Sequence, residues 1–426
     1  MENRRPKIVI IGGGFGGLNV ALGLRRAAAD VLVIDRTNHH LFQPLLYQVA
    51  TATLSPRDVA VPIRSILRKQ PNTRVYMGDV SQINKTKKTI TLSDKSVFDY
   101  DYLVVAAGSR HTYFGHDEWE HVAPGLKTIQ DAVRIREHIL MSLEISERYN
   151  DPELQKPYLT YVIVGGGPTG VEMAGAIAEI VRRSIQDEFQ SFTPSQTRVI
   201  LVEGSSRILT PYPESLSAKA KQSLEGLGVD VRLNSIVTNV TKEGLQIGDE
   251  WIASKNIIWA AGNMASPLLK TLDVPLNRMG HVLLNAYLEV PGADGVYAIG
   301  DCTAFIDDKG KSLPGIAPVA VQQGRFVANA LCKKIKGIAP STKPFRYVDK
   351  GTMATIGYGR AVAYIAGLPF SGLFAWLLWS LIHVTFLIGF RNKIVVMLEW
   401  AWNLLTSKRS VRLIANITPQ GAPYDT

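Results

Sequence analysis

The chain holds 426 residues, 46% of them hydrophobic and 20% charged, a length beyond the usual size of one core, so two domains and an appendage are expected. Its net charge of +10 calls for an anionic partner; no basic stretch interleaved with aromatics points to nucleic acid, which is excluded, and a negatively charged membrane surface is left. Cys302 and Cys332 form no Cys-x-x-Cys pair, which excludes a disulfide scaffold and suits a reducing compartment.

Arg4, Arg5 and Lys7 precede a short apolar run that enters a glycine turn at once, so no signal peptide is expected. That turn, Val-Ile-Ile-Gly-Gly-Gly-Phe-Gly-Gly at 9–17, recurs in outline as Val-Ile-Val-Gly-Gly-Gly-Pro-Thr-Gly at 162–170. Each copy reads as a β-strand feeding Gly-x-Gly-x-x-Gly and then a helix, with Gly12, Gly14 and Gly17 in the first and Gly165, Gly167 and Gly170 in the second. The first glycine permits the bend, the second lets backbone approach a pyrophosphate, and the third lets helix pack on strand; the helix N-terminus favours the phosphates. An acid closes the next strand in both copies, Asp35 and Glu203, where a carboxylate accepts from an adenosine ribose. The longer spacing to Glu203 requires a longer helix or loop between. Two such turns imply two nucleotide cofactors.

A second pair of segments repeats as well. Tyr102 to Gly108 and Ile257 to Gly262 each end an apolar strand on Ala-Ala-Gly, placing Ala107, Gly108 and Gly262 at the strand ends that face the ligand crevice of a doubly wound sheet. Glu172 lies early in the second glycine-turn helix, where an acid also stabilises the helix dipole. Glu203 would accept from a ribose 2′-hydroxyl and repel a 2′-phosphate, favouring NADH over NADPH, with nearby Arg207 as the one residue that could meet such a phosphate. Pro314 to Gly324 reads as a loop entering a helix, with Pro318 suited to its first position.

Between 361 and 390 there is no Asp, Glu, Lys or Arg. A helix from about Leu373 to Phe390 would just cross a hydrocarbon core, but Ser380, His383 and Thr385 speak against spanning. An amphipathic helix from Ile394 to Leu405 follows, with Glu399 and Asn403 on one face. Trp376, Trp379, Trp400 and Trp402 suit a headgroup boundary, and Lys408, Arg409 and Arg412 would meet anionic lipid. In-plane, monotopic attachment is the expectation; a spanning helix and a helix pair buried in a dimer interface are the alternatives.

The two glycine turns, the segment Asn38-His39-His40-Leu41-Phe42-Gln43-Pro44-Leu45-Leu46-Tyr47-Gln48-Val49-Ala50 and the stretch Tyr297-Ala298-Ile299-Gly300-Asp301 together resemble type II NADH dehydrogenase, over essentially the whole chain. The resemblance implies an α/β fold with two Rossmann-like dinucleotide-binding domains, glutathione-reductase-like, and a C-terminal membrane-associated helical region. It implies an FAD-dependent enzyme that passes a hydride from NADH to FAD and two electrons to a membrane quinone. FAD would sit on the first turn, its adenosine ribose on Asp35 and its ribityl hydroxyls on Asp301, with Gln43, Ala107, Gly108 and Ala317 around it. NADH would sit on the second turn with Glu203 and Gly262. Glu172 would serve hydride geometry or proton delivery to quinone, and Gln322 a polar quinone contact. The family often has Gln directly after the first Ala of that motif, and here Pro318 stands there.

FAD-domain segments are expected at 1–118 and 271–335, an NADH domain at 119–270 and a membrane-anchoring region at 336–426. No charged series crosses a set of membrane helices, so proton pumping is not expected, and no metal site is assigned. Disulfide reductases of this fold carry a Cys-x4-Cys pair where this chain has Phe42-Gln43-Pro44-Leu45, which argues against dithiol chemistry. Two alternatives remain: a sulfide:quinone oxidoreductase-like enzyme, and a soluble NADH-dependent ferredoxin reductase-like carrier whose apolar tail docks a protein. The resemblance places the chain on the cytoplasmic face of the cell membrane and admits a homodimer.

Overall fold

A computed structural model describes residues 4–184, 188–339, 342–406, 409 and 411–414. Contacts divide the chain into two compact units, one of Met1–Leu41, Ala60–Arg110 and Asn263–Asp349, the other of Phe42–Val59, His111–Gly262 and Lys350–Thr426.

In the first unit five parallel strands lie in the order Val296–Ala298, Tyr102–Val105, Lys7–Ile11, Asp30–Asp35, Thr73–Met77. The glycine-turn strand is central, and its Ile8, Val9, Ile10 and Ile11 are all buried, the continuous apolar run that a parallel sheet covered on both faces requires. The second unit repeats the plan with four parallel strands, Val229–Arg232, Arg198–Val202, Thr160–Val164 and Asn256–Trp259. In both sheets the glycine-turn strand lies between the strand leading to the acid and the strand leading to Ala-Ala-Gly. Each unit also carries a three-stranded antiparallel meander, Val80–Asp99 in the first and Val237–Ala253 in the second. The long approach to Glu203 holds the helix Pro168–Glu179, a π-helical turn at Ile180–Ser184 and a short 3-10 turn at Pro194–Gln196.

Relative to breaks expected near 118, 270 and 335, the chain changes unit at 110, 262 and 349, and 42–59 joins the second unit. That segment is held to the C-terminal part by polar bonds: Tyr47 Oη with Thr355 Oγ1 (2.8 Å), Asn392 Nδ2 to Arg57 O (3.2 Å) and Val411 N to Ala52 O (3.2 Å).

After an antiparallel sheet of Thr352–Gly357, Arg360–Ile365 and Leu368–Ser371 come two helices, Gly372–Phe386 and Phe390–Thr406. The first has 15 residues, about 22 Å of helix against a hydrocarbon core of about 30 Å. Among the described residues no helix is long and apolar enough to cross a membrane. Both helices have two apolar faces. Ala375, Trp376, Trp379, Val396 and Trp400 are buried, while Leu373, Leu377, Leu381, Phe390, Met397, Leu398 and Leu405 are exposed.

This corrects the reading of the tryptophans as headgroup anchors. Trp379 and Trp376 both pack on Trp400, with ring centroids 5.3 and 6.5 Å away, and Trp402 alone of the four is exposed. Arg409, expected at lipid, is buried, and Arg412 pairs with Glu188; Lys408 lies outside the described residues.

Candidate active site

The first glycine turn is closed by its own acid. Asp35 Oδ2 accepts the Gly13 N–H at 2.6 Å, and Oδ1 accepts the N–H and hydroxyl of Thr37 at 2.7 and 2.8 Å. The second turn repeats this: Glu203 Oε2 accepts Gly166 N–H at 2.6 Å and Oε1 accepts Ser205 N–H at 2.7 Å. The middle glycine of each triplet, outside the fingerprint, therefore has a role that sequence reasoning missed. A Cβ on Gly13 would stand 2.5 Å from Ile63 Cδ1, and one on Gly166 2.9 Å from Glu203 Oε2. The signal was the third consecutive glycine in both copies.

The fingerprint glycines divide into two kinds, those with no room for a Cβ and those facing open space. A Cβ on Gly12 would meet Ala106 O at 2.2 Å, and one on Gly17 would meet Gly12 O at 1.9 Å; the second copy has Ala260 C at 2.7 Å from Gly165 and Gly165 O at 1.8 Å from Gly170. Gly14 and Gly167 face open space, with nothing within 4 Å of a built Cβ. Both are N-cap residues of helices, Phe15–Gly23 and Pro168–Glu179, that receive no side-chain cap. Open backbone, uncapped N–H groups and a carboxylate with lone pairs to spare fit a dinucleotide in each turn.

Gly12, Gly14, Gly17, Asp35, Ala107, Gly108, Asp301, Ala317 and Gln322 belong to the first unit; Gln43, Gly165, Gly167, Gly170, Glu172, Glu203 and Gly262 belong to the second. Gly108 and Gly262 end their strands with matching left-handed backbone, φ +67° and +66°. Asp301 accepts from Ser109 Oγ at 3.3 Å and faces Gly315, where a Cβ would stand 3.2 Å from its Cγ. Ala317 begins the helix Ala317–Ile335, so Pro318 stands second in it.

Gln322 is engaged at both ends by the Val348 backbone, Nε2 to O at 2.9 Å and N to Oε1 at 3.0 Å. Its neighbour Gln323, buried and not singled out from sequence, accepts the Gly300 N–H at 2.7 Å and so holds the turn that presents Asp301. Gln43 donates to Lys127 O at 3.3 Å. Arg207 directs its guanidinium to Tyr212 O, Ser217 Oγ and Thr210 O.

Glu172 is the fifth residue of its helix, beyond the first turn, where the dipole explanation weakens. It lines a cavity of about 20 Å³ with Tyr47, Gln48, Thr53, Glu179, Thr355 and Arg409, room for about one water. Burial pushes its carboxyl up to about 8, against the opposing effect of the Thr355 N–H that it accepts. Across the cavity Glu179 accepts Arg409 Nη2 at 3.1 Å and Tyr358 N–H at 2.6 Å. Arg409 also donates to Thr51 O, Thr53 Oγ1 and Ala176 O, so the C-terminal tail pins the end of 42–59 to the second glycine-turn helix. Sequence marked Arg409 only as a lipid contact, not as a member of this cavity, and did not mark Thr355.

Cys302 is fully buried, its sulfur on the carbonyls of Val105 and Ile299, and burial pushes its thiol up to about 12. Cys332 is half-buried on the helix Ala317–Ile335. Both are packed cysteines.

Known proteins match this arrangement along its length. A family described as Pyridine nucleotide-disulphide oxidoreductase matches residues 6–324, and one described as NDH2 C-terminal domain matches 350–409. The type II NADH:quinone oxidoreductase Ndh of Mycobacterium tuberculosis is 41% identical over 95% of this chain and 89% of its own, and NdhA of the same organism is 40% identical over 97% and 90%. NDH2 from Plasmodium falciparum, solved in complex with NADH, superposes with a TM-score of 0.87 at 22% identity over 96% of this chain and all of that one. The sulfide:quinone oxidoreductase of Aquifex aeolicus gives 0.73 at 17% identity, covering 91% and 92%.

Proposed function

The chain belongs to the type II NADH:quinone oxidoreductases, and from that premise we infer that it passes a hydride from NADH to FAD and two electrons to a membrane quinone without pumping protons. The observation that carries this reading is the duplicated glycine turn, each copy closed by its own carboxylate and opening an uncapped helix N-terminus. FAD, when bound, supplies the hydride acceptance and electron return that no side chain offers.

The first turn is assigned to FAD. Gly12, Gly14 and Gly17 bring backbone to the pyrophosphate, Asp35 accepts from the ribose with its remaining lone pairs, and Asp301 accepts from ribityl hydroxyls. Ala107, Gly108 and Ala317 are assigned to keeping the approach to the ring clear, and Gln43 to cofactor binding. The second turn, with Gly165, Gly167, Gly170 and Gly262, is assigned to NADH. Glu203 takes the 2′-hydroxyl, and Arg207 commits three of its N–H donors to Tyr212 O, Ser217 Oγ and Thr210 O instead of a 2′-phosphate. Glu172, whose carboxyl burial raises to about 8, is assigned to proton delivery to the quinone. The bonds of Gln322 favour a structural clamp over a quinone contact. Full burial of Cys302, and the absence of a second thiol in its described surroundings, removes support for a sulfur relay.

Attachment is assigned to the exposed apolar faces of the two C-terminal helices lying in the membrane plane, with Arg57, Arg391 and Lys393 toward anionic headgroups. The +10 charge suits the anionic cytoplasmic leaflet.

Anaerobic mixing with NADH should bleach the flavin, and ubiquinone or menaquinone should then restore it; reoxidation by neither would sink the assignment. The ratio of kcat/KM for NADH over NADPH should exceed about 10, since a carboxylate facing a phosphate costs at least a factor of that order. Equal efficiencies would remove the role given to Glu203.

A further inference from the structure

Buried polar atoms need partners, and a chain of them takes its direction from any member that can only donate. Trp400, on the helix Phe390–Thr406, is such a member: its Nε1–H lies 2.7 Å from Gln48 Oε1. An indole nitrogen never accepts, so the Gln48 amide is fixed with oxygen toward Trp400 and nitrogen toward Tyr47 Oη, 2.9 Å away. Tyr47 thus accepts from Gln48, and its own proton goes to Thr355 Oγ1 at 2.8 Å. Were Thr355 the donor, Tyr47, which lines the same cavity, would turn its own proton there; with Tyr47 donating, that place falls to Thr355. The Thr355 hydroxyl proton is then left to face the cavity that Thr355 shares with Glu172. Three stretches far apart in sequence so form one directed chain from a tail helix to the wall around a carboxyl.

We propose that Trp400 is a positioning residue that sets the direction of this chain and through it the proton affinity of Glu172, so that seating of the tail helix tunes the proton meant for the quinone. The proposal rests on the reading of Glu172 as the proton holder. A donor facing the cavity favours ionised Glu172, opposing the burial that raises it. The other groups there are Tyr47, Tyr212 and Tyr358, each held protonated by burial, and Glu179 paired with Arg409 at 3.1 Å. Glu172 is therefore the group whose charge the chain can tune.

The test follows the infrared band of a protonated carboxyl in the full-length holoenzyme across pH, identified by its loss in Glu172→Gln, alongside the pH profile of quinone turnover. In Trp400→Phe the midpoint of that band should rise by about half a pH unit, a threefold change in the ratio of protonated to ionised carboxyl. Tyr47→Phe, which leaves the Thr355 hydroxyl only the cavity to donate into, should not raise it, and Trp400→Leu, which likewise frees the Gln48 amide, carries the test should Trp400→Phe fail to fold. Flavin content and the rate of flavin reduction by NADH in Trp400→Phe report whether the second unit is intact. An unchanged midpoint in the Trp400 variants, or an equal rise in Tyr47→Phe, overturns the proposal. If the midpoint moves but Glu172→Gln leaves the turnover profile as it was, the tuning stands and the proton-delivery reading falls.

Discussion

Glu172 carries its proton because the fold surrounds it with tyrosines, indoles and one ion pair, and desolvation raises it from an ordinary 4.5 to about 8. The sign for stability is fixed. In the unfolded chain this carboxyl ionises near 4.5; in the folded chain it stays protonated to about 8, so its contribution is fully present below 4.5 and declines as pH rises toward 8. Glu172→Gln removes the dependence. At pH 7 the variant should melt higher, by roughly 1–2 kcal/mol after discounting for the solvent that a half-buried side chain still meets, and at pH 4.5 the two proteins should differ little. Superimposable melting curves at pH 7 would mean that the carboxyl is solvated in solution. For turnover the same ionisation predicts that quinone reduction by the parent protein falls as pH rises through about 8, while the variant is slower and lacks that limb.

Each glycine turn is an element whose positions divide into those that hold the fold and those that leave room for a ligand. Gly170→Ala would drive a Cβ to 1.8 Å from Gly165 O, and a loss of about 2–4 kcal/mol or failure to fold is expected. Gly167→Ala meets nothing within 4 Å, so its melting should stay within about 1 kcal/mol of the parent. Its NADH affinity should still fall by about tenfold or more, because the methyl occupies the space left for the pyrophosphate. Calorimetric titration with NADH checks this, and unchanged affinity would move the nucleotide off this turn.

These turns were legible because strand, glycines, helix and acid are close in sequence and each has a local physical reason. The same holds for the paired Ala-Ala-Gly strand ends. What stayed hidden depends on long-range packing. Trp400 meets Gln48 across 352 positions and Arg409 meets Glu179 across 230. In a helix apolar on all sides, composition gives no means of telling Trp379, which is buried, from Leu381, which is exposed. Gln322 and Gln323 are neighbours of one type, and only the helix rotation sends one to Val348 and the other to Gly300.

At the scale of the molecule, the two C-terminal helices leave an apolar surface exposed among the described residues. Leu373, Leu377 and Leu381 follow one helix face at intervals of four, and Phe390, Ile394, Leu398, Trp402 and Leu405 continue the exposure on the next helix. Such a stripe on helices too short to span suits in-plane insertion, and exposed Arg57 and Arg391 give it a cationic border. Removing the tail to test this would also strip Trp379, Trp400 and Arg409 from the second unit and confound attachment with unfolding. Point charges on the outer face avoid that. In Leu377→Glu with Leu381→Glu, flotation with vesicles of anionic lipid should weaken roughly 100-fold or more, from the lost burial of two leucines, while flavin reduction by NADH in detergent stays at the parent rate. Arg57→Gln with Arg391→Gln should cost about fivefold per residue at low salt and almost nothing at high salt. Binding that survives the two glutamates but fails without the two arginines would make attachment electrostatic, and the apolar stripe would then belong to a protein interface.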